Sequence, residues 1–382
     1  MKRLICCFDG TWNDDKDEEA LTNVVKLSRA IPGIDGKRVS QLVSYIVGVG
    51  TGYVGKAGFA IGASGIEAGD RVRPGYKFLV DNYQPGDEIY LFGFSRGAFE
   101  ARSLGGFIAL LGIAKGYSAF SLDDAWKAYK NRGKTSSEAT LNMLRMASNY
   151  PAGIKCIGVW DTVGNLGNPL KTESGLTNRF AFHDTDLSAN VDVGLHAVSI
   201  DEKRAPFRPI LWTLPVGASL PGNQIVEQVW FAGVHADVGG GYKETALSDI
   251  GLMWMAERVA ATTSLAIDFD YLRRIAQPDP LGMQHRSNAG KLFKAGANVP
   301  FVRLIQQNRN GVGALRRMTL GSWRTGKAGR GGKPVNESIH PSALARLGKQ
   351  VMEDVGGKPK PLLYQPMNLA AVVGAEAKDA QA

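Results

Sequence analysis

Gly93-Phe94-Ser95-Arg96-Gly97 fits the pattern G-x-S-x-G, a serine between two glycines. In that pattern the serine sits at the tip of a sharp strand-to-helix turn. The flanking residues suit such a turn. Ile89-Tyr90-Leu91-Phe92 is an apolar run that reads as the entering strand, and Ala98, Phe99, Ala101 and Leu104 give the leaving segment a helical spacing. The chemistry such a serine performs is nucleophilic attack on an ester carbonyl, once a base has taken its proton. The helix that follows aims its first N–H groups at the place where an oxyanion forms. Arg96, the residue after the serine, is the expected first oxyanion donor. Gly10 and Thr11, in the loop Asp9-Gly10-Thr11-Trp12-Asn13, are the expected source of the second, because Gly10 allows a close backbone approach.

A serine of this kind needs a histidine base and a carboxylate to orient it, in the chain order serine, acid, histidine. All five histidines follow Ser95. His235 stands out because it comes directly after the apolar run Ile225 to Ala232 and opens into Asp237-Val238-Gly239-Gly240-Gly241-Tyr242. Strand C-termini are where open α/β sheets build their sites. His196 lies in an apolar stretch read as a helix and is expected to pack in the core. His183 and His285 read as loop residues, and His340, in Ser338-Ile339-His340-Pro341-Ser342, is the rival base. Asp161 ends the apolar run Ile157-Gly158-Val159-Trp160 and is the expected acid; Asp9 and Asp237 are candidates for supporting roles, Asp237 as a residue that shapes the glycine-rich turn.

The elements that must hold these residues alternate. Strands are expected at Lys2–Asp9, Leu42–Val49, Glu88–Phe94, Ile154–Trp160 and Ile225–Ala232. Helices are expected at Asn23–Ile31, Asp70–Tyr83, Arg96–Leu111, near 121–131 and 136–149, at Asp192–Ile200 and at Thr245–Ala261. Alternation of this kind predicts an α/β-hydrolase-like fold, with a mostly parallel sheet and helices on both faces. The pattern weakens after residue 265. The reading is therefore a catalytic domain over 1–265 and a basic region over 266–382 packed on it, with a small, polar, frayed tail from residue 369.

Charge and cysteine usage narrow the class. From residue 281 onward there are 16 Lys/Arg against 5 Asp/Glu, whereas the rest of the chain carries 29 against 31. The basic excess in the last quarter suits an anionic partner, either a membrane surface or nucleic acid. Cys6, Cys7 and Cys156 all lie in apolar runs, so they read as small buried side chains; neither a disulfide framework nor a metal site is expected. No cofactor is expected. No stretch of about 18 apolar residues occurs, and the apolar run after Met1-Lys2-Arg3 stops at Asp9, too short for a secretory signal. Synthesis in the cytoplasm is expected, with any export by another route.

Two enzymatic alternatives fail on single residues. Phe8-Asp9-Gly10-Thr11 resembles the start of a haloacid-dehalogenase phosphatase, but the nucleophilic aspartate needed two residues before the second one is replaced by Cys7. Gly50-Thr51-Gly52-Tyr53-Val54-Gly55-Lys56-Ala57 matches G-x-G-x-x-G after a strand and approaches a phosphate-binding loop, but Ala57 stands where Ser or Thr would hold Mg²⁺ and no clean helix opens directly after it, so it reads as a glycine-rich loop. The alternative of another class is a non-catalytic binding protein that uses its basic end for nucleic acid or a protein partner.

Five segments in order, Phe8-Asp9-Gly10-Thr11-Trp12-Asn13, Gly48-Val49-Gly50-Thr51-Gly52, Gly93 to Ala98, Trp160-Asp161-Thr162-Val163-Gly164 and Gly233 to Tyr242, resemble the type VI secretion phospholipase effector family and its α/β-hydrolase domain. The similarity spans about residues 3 to 260, with a weaker echo at Ile339-His340-Pro341-Ser342. The resemblance implies a triad of Ser95, Asp161 and His235, and hydrolysis of membrane phospholipid acyl esters in rival bacteria. It also implies type VI export to a target cell, a cognate immunity protein and contact with the secretion machinery. The long membrane-anchoring region of larger effectors is not expected here.

Overall fold

The protein is described by a computed structural model covering residues 1–11, 13, 15–48, 71–117, 121–130, 138–164, 187–204, 207–214, 218–287, 301–305, 324–325 and 333–379. The glycine-rich segment 50–57, His183, and Arg316, Arg317 and Arg330 of the basic region lie outside the described residues.

Seven strands build the central sheet. In chain order they are β1 (Arg3–Phe8), β2 (Gln41–Ile46), β3 (Glu88–Phe94), β4 (Ile154–Trp160), β5 (Val191–Ser199), β6 (Ile225–Phe231) and β7 (Glu337–Ile339). Their order across the sheet is β7-β6-β5-β4-β3-β1-β2, and every neighbouring pair is parallel. The sheet and its helices form the expected α/β fold, α/β-hydrolase-like with helices on both faces.

The two faces can be read from β1 itself. Leu4, Cys6 and Phe8 point into one apolar cluster, with Val72, Tyr76 and Leu79 of the Val72–Asn82 helix and Ala101, Leu104 and Ile108 of the Arg96–Leu111 helix. Ile5 and Cys7 point into the other, with Val24 and Leu27 of the Asn23–Arg29 helix and Leu252, Met255 and Val259 of the Ala246–Thr262 helix. Side chains alternate across a strand, so a strand buried on both faces must be apolar throughout. That is why β1 reads Leu-Ile-Cys-Cys-Phe. Each fully buried large apolar side chain contributes about 1.5–3 kcal/mol. The three cysteines are free and fully buried, and burial pushes each thiol well above its ordinary pKa.

Two expectations are overturned here. Val191–Ser199 is a strand rather than a helix. It is a central strand, covered on both faces: Val193, Leu195 and Ala197 enter the second cluster, while His196 and Val198, which alternate with them, are fully buried on the other side. The tail is not frayed throughout. A helix spans Met367–Asp379, and its Leu369 and Val372 are buried in a third apolar cluster with Trp230, Ile305 and Tyr364. The region after residue 265 also supplies β7, the edge strand beside β6.

Candidate active site

Strand β3 runs straight into Ser95, and the Arg96–Leu111 helix begins at the next residue. Ser95 has φ 60° and ψ −122°, a conformation side chains rarely adopt. Such backbone costs on the order of 1–3 kcal/mol and persists only where its surroundings enforce it. The glycines on either side explain how it is enforced. A Cβ on Gly93 would lie 2.4 Å from the carbonyl oxygen of Gly97, and one on Gly97 would lie 2.2 Å from that of Phe8. The turn therefore closes on itself and on the end of β1, with no space for any larger residue. Ser95 N–H donates to the carbonyl of Trp160 at 3.0 Å, which ties the elbow to the end of β4.

His235 begins the short helix His235–Gly239 after β6. Its Nε2 accepts from the Ser95 hydroxyl at 2.7 Å, and its Nδ1 donates to Asp161 Oδ2 at 2.5 Å. Asp161 follows β4 directly, fully buried, at φ 41°, a left-handed conformation that Asp tolerates better than most residues. Its other oxygen accepts the Ser199 N–H at 2.9 Å. Two aromatic rings hold the imidazole in place: Phe94 at 4.6 Å between centroids and Phe207, edge-on, at 4.9 Å.

Electrostatics match this geometry. Burial disfavours the charged form of Asp161, but Arg303 and the bond to His235 outweigh that and hold its carboxyl well below the usual range. Burial lowers the pKa of His235, and Asp161 opposes the shift without reversing it. The imidazole is thus neutral near pH 7, and an ionised Asp161 keeps its proton on Nδ1. That leaves Nε2 free to take a proton from Ser95. Beside it lies a second charged pair. Glu202 Oε2 accepts the His235 backbone N–H at 3.3 Å and Arg204 Nη2 at 2.8 Å. Burial opposes ionisation of Glu202, yet the Arg204 charge brings its pKa down to about 2.

The other sequence candidates take varied places. Asp9 is buried and accepts from Gly10 N–H at 2.6 Å, Thr22 hydroxyl at 2.8 Å and Tyr45 hydroxyl at 2.6 Å. The Gly10 N–H donates to Asp9, and a Cβ on Gly10 would lie 2.7 Å from Asn13 Nδ2 and 3.0 Å from the Phe94 ring. Thr11 Oγ1 is buried without a hydrogen-bond partner. Asp237 accepts the Val234 N–H at 3.0 Å and bonds His285 Nδ1 at 2.6 Å, so it braces the turn carrying His235. His285 is accordingly no isolated loop residue: it belongs to the strand pair Gln284–His285, bridges Asp237 and Glu244, and stacks on Tyr242 at 3.7 Å. His340 caps the Pro341–Arg346 helix through Ser342 N–H at 3.2 Å and stacks on Phe231 at 4.6 Å. His196 is fully buried, as expected, though in a strand. Burial, with Arg102 adding to it, lowers its pKa to about 3, and its Nε2 accepts the N–H of Thr162, the residue after Asp161. Among the described residues, no three His, Cys, Asp or Glu side chains gather as a metal site.

Arg303 is the site residue the sequence reading missed. It is fully buried and reaches both oxygens of Asp161, Nη1 to Oδ1 at 2.5 Å and Nη2 to Oδ2 at 2.9 Å. The signal was a single arginine in the apolar run Phe301-Val302-Arg303-Leu304-Ile305. A charge in such a run must find a partner if the run is buried.

The family model for the type VI secretion phospholipase effector Tle1-like catalytic domain matches residues 2–258. The chain belongs to this family. All five ordered motifs, together with Ser95, Asp161 and His235, fall within the matched segment, whereas Arg303 lies beyond it. An uncharacterized protein of Saccharomyces cerevisiae is 29% identical over 242 residues, covering 56% of this chain and 33% of its own. Among solved structures, an uncharacterized protein from Pseudomonas aeruginosa aligns with a TM-score of 0.43 and 18% identity, over 73% of this chain and 49% of that one. The Tle1 effector bound to the VgrG spike of the Type 6 secretion system aligns with a TM-score of 0.33 and 16% identity, over 63% and 51%. The chain spans about a third of the yeast relative and about half of each solved chain. Among the described residues, no helix is long and apolar enough to cross a membrane.

Proposed function

We propose that this protein is a serine hydrolase that cleaves phospholipid acyl esters, with Ser95 as nucleophile, His235 as general base and Asp161 as the acid that orients it. The observation that carries the reading is the continuous relay Ser95–His235–Asp161, at 2.7 and 2.5 Å, mounted on a strained elbow. His235 takes the Ser95 proton as the hydroxyl oxygen attacks the ester carbonyl. The resulting imidazolium is stabilised by ionised Asp161 and then gives its proton to the departing alcohol. Water deacylates the serine by the same steps in reverse order. The negative charge on the tetrahedral intermediate falls at the start of the Arg96–Leu111 helix, where the Arg96 N–H is the first donor, and Thr11 in the loop braced by Asp9 is the candidate for the second. Each such donor lowers the barrier by roughly 3–4 kcal/mol.

The substrate class follows from the family rather than from the relay, which would serve any acyl ester. Export by type VI secretion, a spike protein as carrier and an immunity protein in the producing cell belong to the same proposal. A fluorophosphonate probe followed by peptide mapping tests the nucleophile, and a panel of phospholipids with single labelled acyl chains tests the substrate. Modification at Ser95 and release of labelled fatty acid are expected. A wild-type protein that neither reacts with the probe nor releases fatty acid refutes the proposal.

A further inference from the structure

We infer that Arg303, from the segment beyond the family-matched domain, is a positioning residue that completes the active site by clamping Asp161 in its ionised, histidine-facing orientation; this rests on the serine-hydrolase reading above. Planar guanidinium and carboxylate groups pair through two parallel hydrogen bonds, which fix both distance and rotation. Here the two bonds occupy both oxygens of Asp161, so the carboxylate cannot turn about its Cβ–Cγ bond without breaking one of them. The same guanidinium is itself held by the carbonyls of Ser199 and Phe207, at 2.7 and 2.6 Å. Ser199 also donates its N–H to Asp161, and Phe207 packs against His235. One side chain thus joins the acid, the end of β5 and the ring that confines the base.

The backbone of Arg303 is in turn anchored by the C-terminal helix. Asn368 donates from Nδ2 to the carbonyls of Arg303, at 3.1 Å, and Ile200, at 3.0 Å. A line of direct contacts therefore runs from Asn368 through Arg303, Asp161 and His235 to Ser95. Among the described residues, the other charged groups beside the pair are Glu202 and Arg204, bonded to each other at 2.8 Å, while His196 is held neutral by burial with Arg102 adding to it. They leave Arg303 as the cation that balances Asp161.

The clamp has a pH signature. Without the guanidinium, Asp161 either keeps its charge uncompensated, which raises the pKa of His235, or takes up a proton and leaves His235 without an anchor. In the first case the acid limb of the rate profile follows the raised pKa of His235; in the second it follows the raised pKa of Asp161 itself, which must be ionised for the relay to work, so either case moves the limb to higher pH. The test compares wild type, Arg303→Gln, Arg303→Lys and Ser95→Ala, full length, for thermal unfolding and for kcat and KM on a short-chain p-nitrophenyl ester across pH 4.5–8.5. For Arg303→Gln, kcat is expected to fall about 100-fold, the cost of a misplaced catalytic group, with KM little changed and the acid limb raised by at least one pH unit. Arg303→Lys retains the charge but not the fork; its limb is expected to stay at the wild-type position with kcat reduced about tenfold. A folded Arg303→Gln with wild-type kcat and limb overturns the inference. If that variant does not fold, Arg303→Lys decides: a reduced kcat on an unmoved limb supports the clamp, and a wild-type kcat overturns it. Failure of the underlying reading has a separate signature, a Ser95→Ala protein that still turns over the ester.

Discussion

Ser95 Oγ and His235 Nε2 stand 2.7 Å apart although 140 residues separate them in the chain. The contact exists because β3 and β6 both end on the C-terminal side of a parallel sheet: Ser95 directly follows β3 and precedes its helix, and His235, separated by three residues from the end of β6, opens the next helix. Ser95→Ala is expected to lower turnover of short acyl esters by about 10⁶-fold, leaving only what positioning and the oxyanion donors supply. The fold should survive, since the side chain contributes little to packing. Ser95→Gly should melt higher than Ser95→Ala, because glycine takes up φ 60° and ψ −122° without the strain other residues bear there. Calorimetry of the two variants checks this; equal melting temperatures would mean that the elbow stores no strain.

The base must be neutral to act, so its pKa sets the acid limb of activity. Burial lowers the pKa of His235 from its ordinary value, and Asp161 stays ionised far below that range. The neutral form is present above the pKa, so a lowered pKa extends activity toward acid. The midpoint of the acid limb of kcat/KM is expected below the unperturbed histidine value of about 6.5. A midpoint above 7 in a pH–rate series would show that the imidazole is stabilised in its charged form. His235→Ala should lose as much turnover as Ser95→Ala, because the relay works as a unit.

His340 offers the opposite outcome. Its ring caps the Pro341–Arg346 helix and stacks on Phe231. His340→Ala is expected to destabilise the protein by about 1 kcal/mol, the usual cost of a lost cap, and to leave kcat within a factor of about three of wild type, in line with a role outside the machinery. Denaturant melts and ester kinetics on one preparation check both parts. An inactive, fully folded His340→Ala with an active His235→Ala would reassign the base.

How much of this could be read in advance depended on sequence distance. The elbow was legible because its strand, turn and helix are contiguous, and each glycine does a job a Cβ would prevent. Asp161 and His235 were legible as the ends of apolar strands. Strand β5 reads as a helix from sequence because Val191, Leu195 and Val198 satisfy a helical spacing as well as the strand alternation through Val193 and Ala197. The C-terminal helix was hidden by composition, as alanine and glycine dilute the stripe of Leu369, Val372 and Val373. Arg303 was the least legible, 142 residues from Asp161 and in no motif. Its partner is fixed by tertiary packing, which no local pattern records.

Asp201 provides a stability prediction independent of turnover. It is buried, accepts the Gly233 N–H at 2.7 Å and the Tyr364 hydroxyl at 2.9 Å, and burial raises its pKa to about 6. An unfolded aspartate titrates near 3.9. Between the two values the folded protein holds more protons than the unfolded chain, so this group makes stability fall as pH rises from about 4 to about 6. Asp201→Asn removes that slope. The stability difference between variant and wild type is expected to shift in favour of the variant by about 2 kcal/mol between pH 4.5 and 7, measured by urea unfolding. A difference that stays constant across that range would show that Asp201 is ionised in the fold at every pH tested.

The last prediction concerns the membrane. From residue 281 onward the chain carries 16 Lys/Arg against 5 Asp/Glu, and the proposed cleavage of phospholipid would require the protein to dwell at a lipid surface. Each basic residue near an anionic surface contributes about 1 kcal/mol. Only some of them can face one plane, so the total is well below the simple sum. The attraction is screened as salt rises. Binding to phosphatidylglycerol-containing vesicles is therefore expected at low salt, weakening as salt is added, with little binding to neutral phosphatidylcholine vesicles. Nucleic acid would show the same salt dependence, so the deciding experiment is a competition. Vesicle sedimentation is run with and without excess DNA, on wild type and on a variant with Arg316, Arg317, Arg324 and Arg330 all changed to Gln. Reduced sedimentation of the variant, with DNA competing poorly, is the expected result. Equal sedimentation of the two proteins would show that these arginines only face solvent, and DNA binding without vesicle binding would favour a nucleic-acid partner over a lipid surface.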